Sequence, residues 1–316
     1  MSSPPPGTYG RKIVIAGGSG FLGHSIIHKY WDTPTEIVVL TRNHNQPGKS
    51  LSYIHWDGET PGDWVRALED STAVINLVGR SVNCRYTETN KQEIINSRVN
   101  ATRVIGEAIK MAKQPPKVWI NAGSAAIFGD SGDEIKNEDS TIGEGFSPEV
   151  CKQWEETFLA ADTPGTRKVF LRMGLVLQKD RGLLKPFINM ARLGFGGRFG
   201  DGRQYISWIH ERDFTGVIEM AVERDDLKGI IHCTSPFPVT NSHFMKALRS
   251  ALRQPFGLPN PSLFIKAGAV FAGTEAGLVL AGRRVVSKTL QENHFPFQFP
   301  DIDGALRDLI EPTPSR

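Results

Sequence analysis

The sequence predicts an α/β fold: a doubly wound parallel sheet with a smaller, mixed C-terminal lobe. Two observations carry the prediction. Short β-branched runs alternate with longer helical patterns through most of the chain, and parallel strands need a crossover, which a helix supplies. The strand-like runs are apolar throughout rather than alternating, as in a sheet covered on both faces.

The runs follow in order. "KIVIAG" reads as the first strand and "FLGHSIIHKYW" as the helix after it; "EIVVLTR" and "AVINLVG" are further strands. "NKQEIINSRVNATRVIGEAIKMA" places Ile94, Val99, Val104, Ile105 and Ile109 near one stripe of a helix over 90–112, a face that must pack on something. "KVWINAGSAA" and "KVFLRMGLVL" return to strand. The texture then turns Gly-rich and basic-aromatic in "RLGFGGRFGDGRQYISWIH", becomes strand again at "GIIHCTS", and is helical with prolines at its breaks from about Pro236. The expected division is a frayed tail over 1–10, a nucleotide-binding domain over 11–182 plus about 208–238, and a smaller lobe over about 183–207 plus 239–312, with the ligand in the cleft between them.

With 316 residues, 39% hydrophobic and 22% charged, the chain can bury a large core. Its 37 basic and 34 acidic residues are mixed along the chain, so no basic arm offers itself to nucleic acid. Cys84, Cys151 and Cys233 are odd in number and lack CxxC spacing, which argues against a disulfide framework or a zinc site, and no metal is expected. A reducing compartment, the cytoplasm, fits best. "MSSPPPGTYG" has no leader pattern, and "AGAVFAGTEAGLVLAG" is interrupted by Glu275 and glycines and is too short to span a bilayer, so no membrane partner is expected.

"KIVIAGGSGFLG" puts Gly17, Gly18, Gly20 and Gly23, with Ser19, Phe21 and Leu22 among them, between a buried strand and an amphipathic helix. In that setting glycines permit a tight turn and close backbone approach, while the free N–H groups and dipole of the helix receive a pyrophosphate. The competing reading is a glycine turn with no ligand. The second strand ends on Thr41, Arg42 and Asn43, where an NAD-preferring fold would offer an acid to the ribose. A guanidinium pairs with a 2′-phosphate that a carboxylate would repel, so NADP(H) is preferred and NAD(H) is the alternative.

Together with "INLVGRSV", "INSRVNATRVI", "GSAAIFG", "CKQWEE", "LRMGLVL", "GFGGRFGDGRQYISWIHERDF" and "RRVVSKTLQENHFPFQFPDIDGALRDL", these residues resemble the extended short-chain dehydrogenase/reductases, the NAD-dependent epimerase and dehydratase superfamily. Within it, the chain is similar to the atypical epimerase-family proteins with a distinctive C-terminal domain. The resemblance implies a Rossmann-type fold in which Leu77, Val78 and Gly79 back the adenosine and ribose, Arg98, Ala122 and Gly123 join the cofactor set, and Arg172 with Gly174, Leu175 and Val176 lies near the nicotinamide. It makes Ser124 the serine of the catalytic triad. It also matches helices 90–112 and 149–161 to a four-helix dimer interface, so that a homodimer stands beside a monomer.

The resemblance breaks at the acid. Typical members carry a Tyr and, four residues on, a Lys on one helix face. Here one register gives Ser147 and Cys151 and the next gives Pro148 and Lys152; the five tyrosines are Tyr9, Tyr30, Tyr53, Tyr86 and Tyr205, with Phe128 where another is common. Substitutes for this atypical active site are Cys151, which also reads as a small core residue, Lys152, also an ordinary surface lysine, and Tyr205, also a packing aromatic; Tyr86 carries the same ambiguity. His210, Glu138, Glu155 and Asp213 read as structural. Arg203, Gln204 and Trp208 are the substrate-binding candidates, since an arginine fork suits carboxylate or phosphate. The implied function is an NADP(H)-dependent oxidoreductase or epimerase-like enzyme acting on a carbonyl, alcohol or nucleotide-sugar-like small molecule. The alternative is a non-catalytic NADP(H)-binding sensor.

Overall fold

The computed structural model describes residues 10–42, 50–179, 181–182 and 184–311; residues 1–9 of the expected tail over 1–10, and Asn43, lie outside them. β1 (Arg11–Ala16), α1 (Phe21–Tyr30), β2 (Thr35–Thr41), β3 (Leu51–His55), β4 (Ala73–Asn76), α2 (Glu88–Met111), β5 (Val118–Ser124), the two-residue β6 (Ile135–Lys136), α3 (Phe146–Ala160) and β7 (Arg167–Met173) build most of the nucleotide-binding half. β8 (Leu175–Leu177), α4 (Leu184–Met190), β9 (Tyr205–Ile206), β10 (Trp208–His210), α5 (Glu211–Glu223), β11 (Gly229–Cys233), β12 (Val239–Thr240) and α6 (Asn241–Ala251) follow. α7 (Ser262–Ala272), α8 (Gly277–Leu280), β13 (Arg284–Val285), α9 (Lys288–Glu292) and α10 (Ile302–Ile310) complete the described chain.

Seven strands form one parallel sheet in the order β11-β7-β5-β4-β1-β2-β3. The apolar runs are apolar because both faces are covered, and the strand period of two divides them. Ile13 and Ile15 pack with Ile37, Val39 and Phe214 on one face, while Val14 and Ala16 pack with Leu40, Trp119, Ile105 and Phe158 on the other. The chain winds one way from β1 and the other way from β4, so the crevice beyond the carboxyl ends of these strands is the place where this topology binds ligands.

A second core gathers Leu184, Phe199, Trp208, Phe244, Leu248, Leu306 and Leu309 from α4, the loop before β9, β10, α6 and α10. One segment assigned to the smaller lobe behaves differently. Leu290 and the partly buried Phe295 and Phe297 pack against the sheet core, and β13 pairs with β6, so 284–297 folds back onto the nucleotide-binding half. Apolar side chains at these positions have a sheet face to cover, which a split by sequence position does not reveal. None of the described helices is long and apolar enough to cross a membrane.

Candidate functional site

The turn after β1 is shaped by what its glycines avoid. Gly17 adopts φ +73, and a Cβ there would sit 3.1 Å from Val78 Cγ2. At Gly23 a Cβ would fall 2.2 Å from the backbone oxygen of Gly18, so only hydrogen lets α1 press against the loop. Gly20 is the N-cap of α1 and offers no capping side chain, and the first turn of α1 has no acid. Its leading N–H groups and the positive end of its dipole therefore face the crevice unneutralised.

Above this turn opens a cavity of about 840 Å³. Gly17, Ser19, Gly20, Phe21, Leu22 and Gly23 line one end, Thr41, Arg42 and Trp56 to Glu59 another, and Leu77 to Ser81 the side at β4; Glu93, Asn96, Ser97 and Asn100 of α2 close it. Gly18 lies beneath, close to Ile15 and Val39. Arg42 is exposed at the cavity rim and makes no carboxylate ion pair among the described residues. Ser19 Oγ and Thr41 Oγ1 are 3.4 Å apart. Asp57, which the sequence reading missed, is held down to about 2 by the Thr60 hydroxyl and the backbone N–H groups of Thr60 and Glu59. A glycine floor, an uncapped helix start and a cation at the far rim fit a dinucleotide diphosphate with a further phosphate on its ribose.

The side of the cavity at β4 rests on a buried polar network that the sequence reading also passed over. Asn76 donates to Asn121 Oδ1 at 2.7 Å and accepts from Val78 N at 3.1 Å, and Trp154 Nε1 donates to Thr102 Oγ1 at 3.0 Å. Such a network fixes the ends of β4 and β5 to α2 and α3. Arg98 of α2 lies directly behind: a Cβ on Gly79 would meet its Cζ at 3.1 Å. Its Nη1 donates to Ile94 O at 2.9 Å and its guanidinium stacks on Trp154.

Ser124 ends β5; its Oγ accepts from Ala126 N at 3.1 Å, which leaves its proton free to donate. Other expected site residues are engaged within the protein. Arg172 is 4% exposed and makes two bonds of 2.8 Å to Glu155, so its charge is spent inside the protein. At Gly123 the close neighbour is Phe170, whose ring a Cβ would meet at 2.2 Å, and at Gly174 it is Ser207 O; both are packing glycines. Ala122 and Val176 are buried and Leu175 is partly so. Trp208 is fully buried and donates to Phe237 O, as a core residue does. Gln204 donates to Phe199 O at 3.0 Å and holds a loop, while Arg203 points outward toward Asp133 with 78% of its side chain exposed.

Two of the substitute acids lose their case. Cys151 packs with Ala125, Ile127, Phe128 and Val285, and burial pushes its thiol up to about 11. Its neighbour Lys152 faces solvent. Tyr205 is half-buried with the Arg284 guanidinium over its ring, 4.9 Å from the centroid. Titration of the native thiols with a disulfide reagent is therefore expected to show one accessible thiol, Cys84, with Cys151 and Cys233 reacting only on unfolding.

His210 caps α5, its Nδ1 accepting from Arg212 N at 3.1 Å, and burial pulls its pKa down to about 4. A histidine whose folded pKa is lowered destabilises the fold on protonation. Stability is expected to be intact above about pH 6.5 and to fall through the window down to about 4, and a His210→Asn variant should show a shallower decline in urea unfolding.

Residues 13–232 match the NAD dependent epimerase/dehydratase family, and residues 261–309 match a domain of unknown function, DUF1731. Epimerase family protein YfhF of Bacillus subtilis is 32% identical over 302 residues, covering 94% of this chain and 97% of that protein. The crystal structure of human epimerase family protein SDR39U1 (isoform 2) with NADPH superposes with a TM-score of 0.85 at 27% identity, covering 95% of this chain and 99% of that one. A nucleoside-diphosphate sugar epimerase from Corynebacterium glutamicum gives 0.75 at 26% identity, covering 95% of this chain and 58% of that one.

Proposed function

The chain belongs to the NAD dependent epimerase/dehydratase family, and from that premise we propose that it is an NADPH-dependent oxidoreductase acting on the carbonyl or alcohol group of a small molecule. The observation that carries the reading is Arg42 at the rim of the dinucleotide cavity, where an acid would serve NAD. The solved relative with NADPH supports it.

In this reading the N–H groups at the start of α1 and the turn from Gly17 to Gly23 hold the pyrophosphate, Thr41 and Arg42 hold the 2′-phosphate, and Leu77, Val78 and Gly79 back the ribose. Bound NADPH supplies a hydride. Ser124, its proton free, donates to the substrate oxygen and orients the carbonyl. Three free cysteines, two of them buried, suit a reducing compartment such as the cytoplasm.

The test follows NADPH absorbance against a panel of aldehydes, ketones and nucleotide-linked ketosugars. Ser124→Ala is expected to keep NADPH affinity while losing about 10²-fold in turnover of whichever carbonyl reacts. Absence of turnover across the panel, combined with widely different affinities for NADP⁺ and NADPH, would replace the enzyme with a cofactor-sensing protein.

A further inference from the structure

Reduction of a carbonyl leaves an alkoxide, and an alkoxide needs a proton from a group within hydrogen-bond reach. Among the acids suggested by sequence, Cys151 is walled into the core and Lys152 faces solvent; of Tyr205 and Tyr86, the second has a buried hydroxyl without a regular hydrogen bond among the described residues. Tyr86 is different. It sits in the loop between β4 and α2, its ring packs edge-on against Phe146 at the first position of α3 with centroids 4.6 Å apart, and its hydroxyl is buried with no hydrogen bond of regular geometry. Leaving a buried phenol without a well-formed hydrogen bond costs on the order of 1–3 kcal/mol, and with only a marginal contact to Ser147 of α3 this hydroxyl has capacity for a further partner.

The loop is held in place by distant contacts. Tyr86 N donates to Glu275 Oε1 at 2.9 Å, Arg85 Nη2 to Val270 O at 2.9 Å, and Thr274 Oγ1 to Asn83 Oδ1 at 2.6 Å, so the domain of unknown function anchors the tyrosine. On the other side, the Arg98 guanidinium lies behind Gly79, which lines the dinucleotide cavity. Arg98 makes no carboxylate ion pair among the described residues, so its charge is available to an anion formed beside it.

We propose that Tyr86 is the catalytic acid of this protein and that Arg98 is its positioning cation, together doing from the β4–α2 loop and α2 what α3 cannot do. This rests on the NADPH-dependent reading above. The Tyr86 O–H bond breaks as the substrate alkoxide O–H bond forms; the phenolate faces the Arg98 charge until it takes a proton from water. The groups facing the phenol are Ser147 of α3, Cys84 of the same loop, Glu275 and Arg98. Burial is the largest influence and raises the pKa; Ser147 opposes it, Cys84 and Glu275 add to it and Arg98 opposes it. The phenol is thus kept in its acid form at neutral pH.

The test needs no substrate. NADP⁺ and NADPH differ by one positive charge on the nicotinamide, which favours a nearby phenolate. Calorimetry on the whole chain is expected to show the affinity of NADP⁺ relative to NADPH rising by at least about threefold between pH 7 and pH 10, because binding the oxidised form pulls the proton off Tyr86. Tyr86→Phe keeps the ring against Phe146 and removes only the contact of the hydroxyl with Ser147, so it should fold with a melting temperature little changed and give a flat ratio. Arg98→Met should flatten the ratio over this range and Arg98→Lys restore it. A ratio flat in the unaltered protein, or rising equally in Tyr86→Phe, overturns the proposal while leaving NADPH binding intact; failure of both cofactors to bind removes the cofactor reading and the proposal with it.

Discussion

Glu155→Ala is expected to lower stability by about 3–5 kcal/mol. Glu155 lies on α3 and Arg172 on β7; the two make a bidentate pair with side chains 10% and 5% exposed. Truncating the acid leaves a guanidinium buried beside His232 and Phe128 without its carboxylate partner. Urea unfolding measures the loss. The double variant Glu155→Leu with Arg172→Met should recover much of it, since removing both charges also removes their desolvation cost. A loss below about 1 kcal/mol in Glu155→Ala would mean that the pair contributes no more than a surface ion pair does.

Gly23→Ala is expected to abolish NADPH binding, a loss of at least about 100-fold or 2.7 kcal/mol, and to lower the melting temperature as well. The added methyl collides with the backbone of Gly18, 2.2 Å away, so α1 and the turn must separate. Gly20→Ala provides the contrast. A Cβ there meets only Gly17 O at 3.4 Å and φ is −78, so the protein should fold, losing no more than about 1 kcal/mol because alanine is a poorer N-cap than glycine. Gly20 lines the cavity, however, so its methyl enters the space of the pyrophosphate and binding should still weaken. Calorimetry and thermal unfolding on both variants separate the two effects. Normal NADPH affinity in Gly23→Ala would contradict the assignment of this turn to the cofactor.

The sheet was legible because each strand is a continuous apolar run and each crossover a helix, patterns that local sequence carries. The glycine turn and Arg42 were legible because their meaning depends only on the strand before them. Side-chain direction was not. Trp208 reads like a substrate aromatic beside a Gly-rich stretch, yet its place in β10 turns it into the second core. Gln204 resembles a recognition residue until its amide is seen to serve Phe199 O. Arg172 and Glu155 are 17 residues apart on different elements, and nothing local announces that they neutralise each other. The footing of Tyr86 lies 189 residues away at Glu275, a long-range contact that composition and spacing do not encode. The Asn76, Asn121 and Thr102 network is visible only once β4, β5 and α2 are side by side.

The central claim, that Arg42 makes this cavity a site for the phosphorylated dinucleotide, is tested most directly by calorimetric titration of the cofactor-stripped protein with NADPH and with NADH. The account predicts NADPH binding at least tenfold tighter, about 1.4 kcal/mol, with the preference lost in Arg42→Ala. Equal affinities for the two cofactors in the unaltered protein would contradict it.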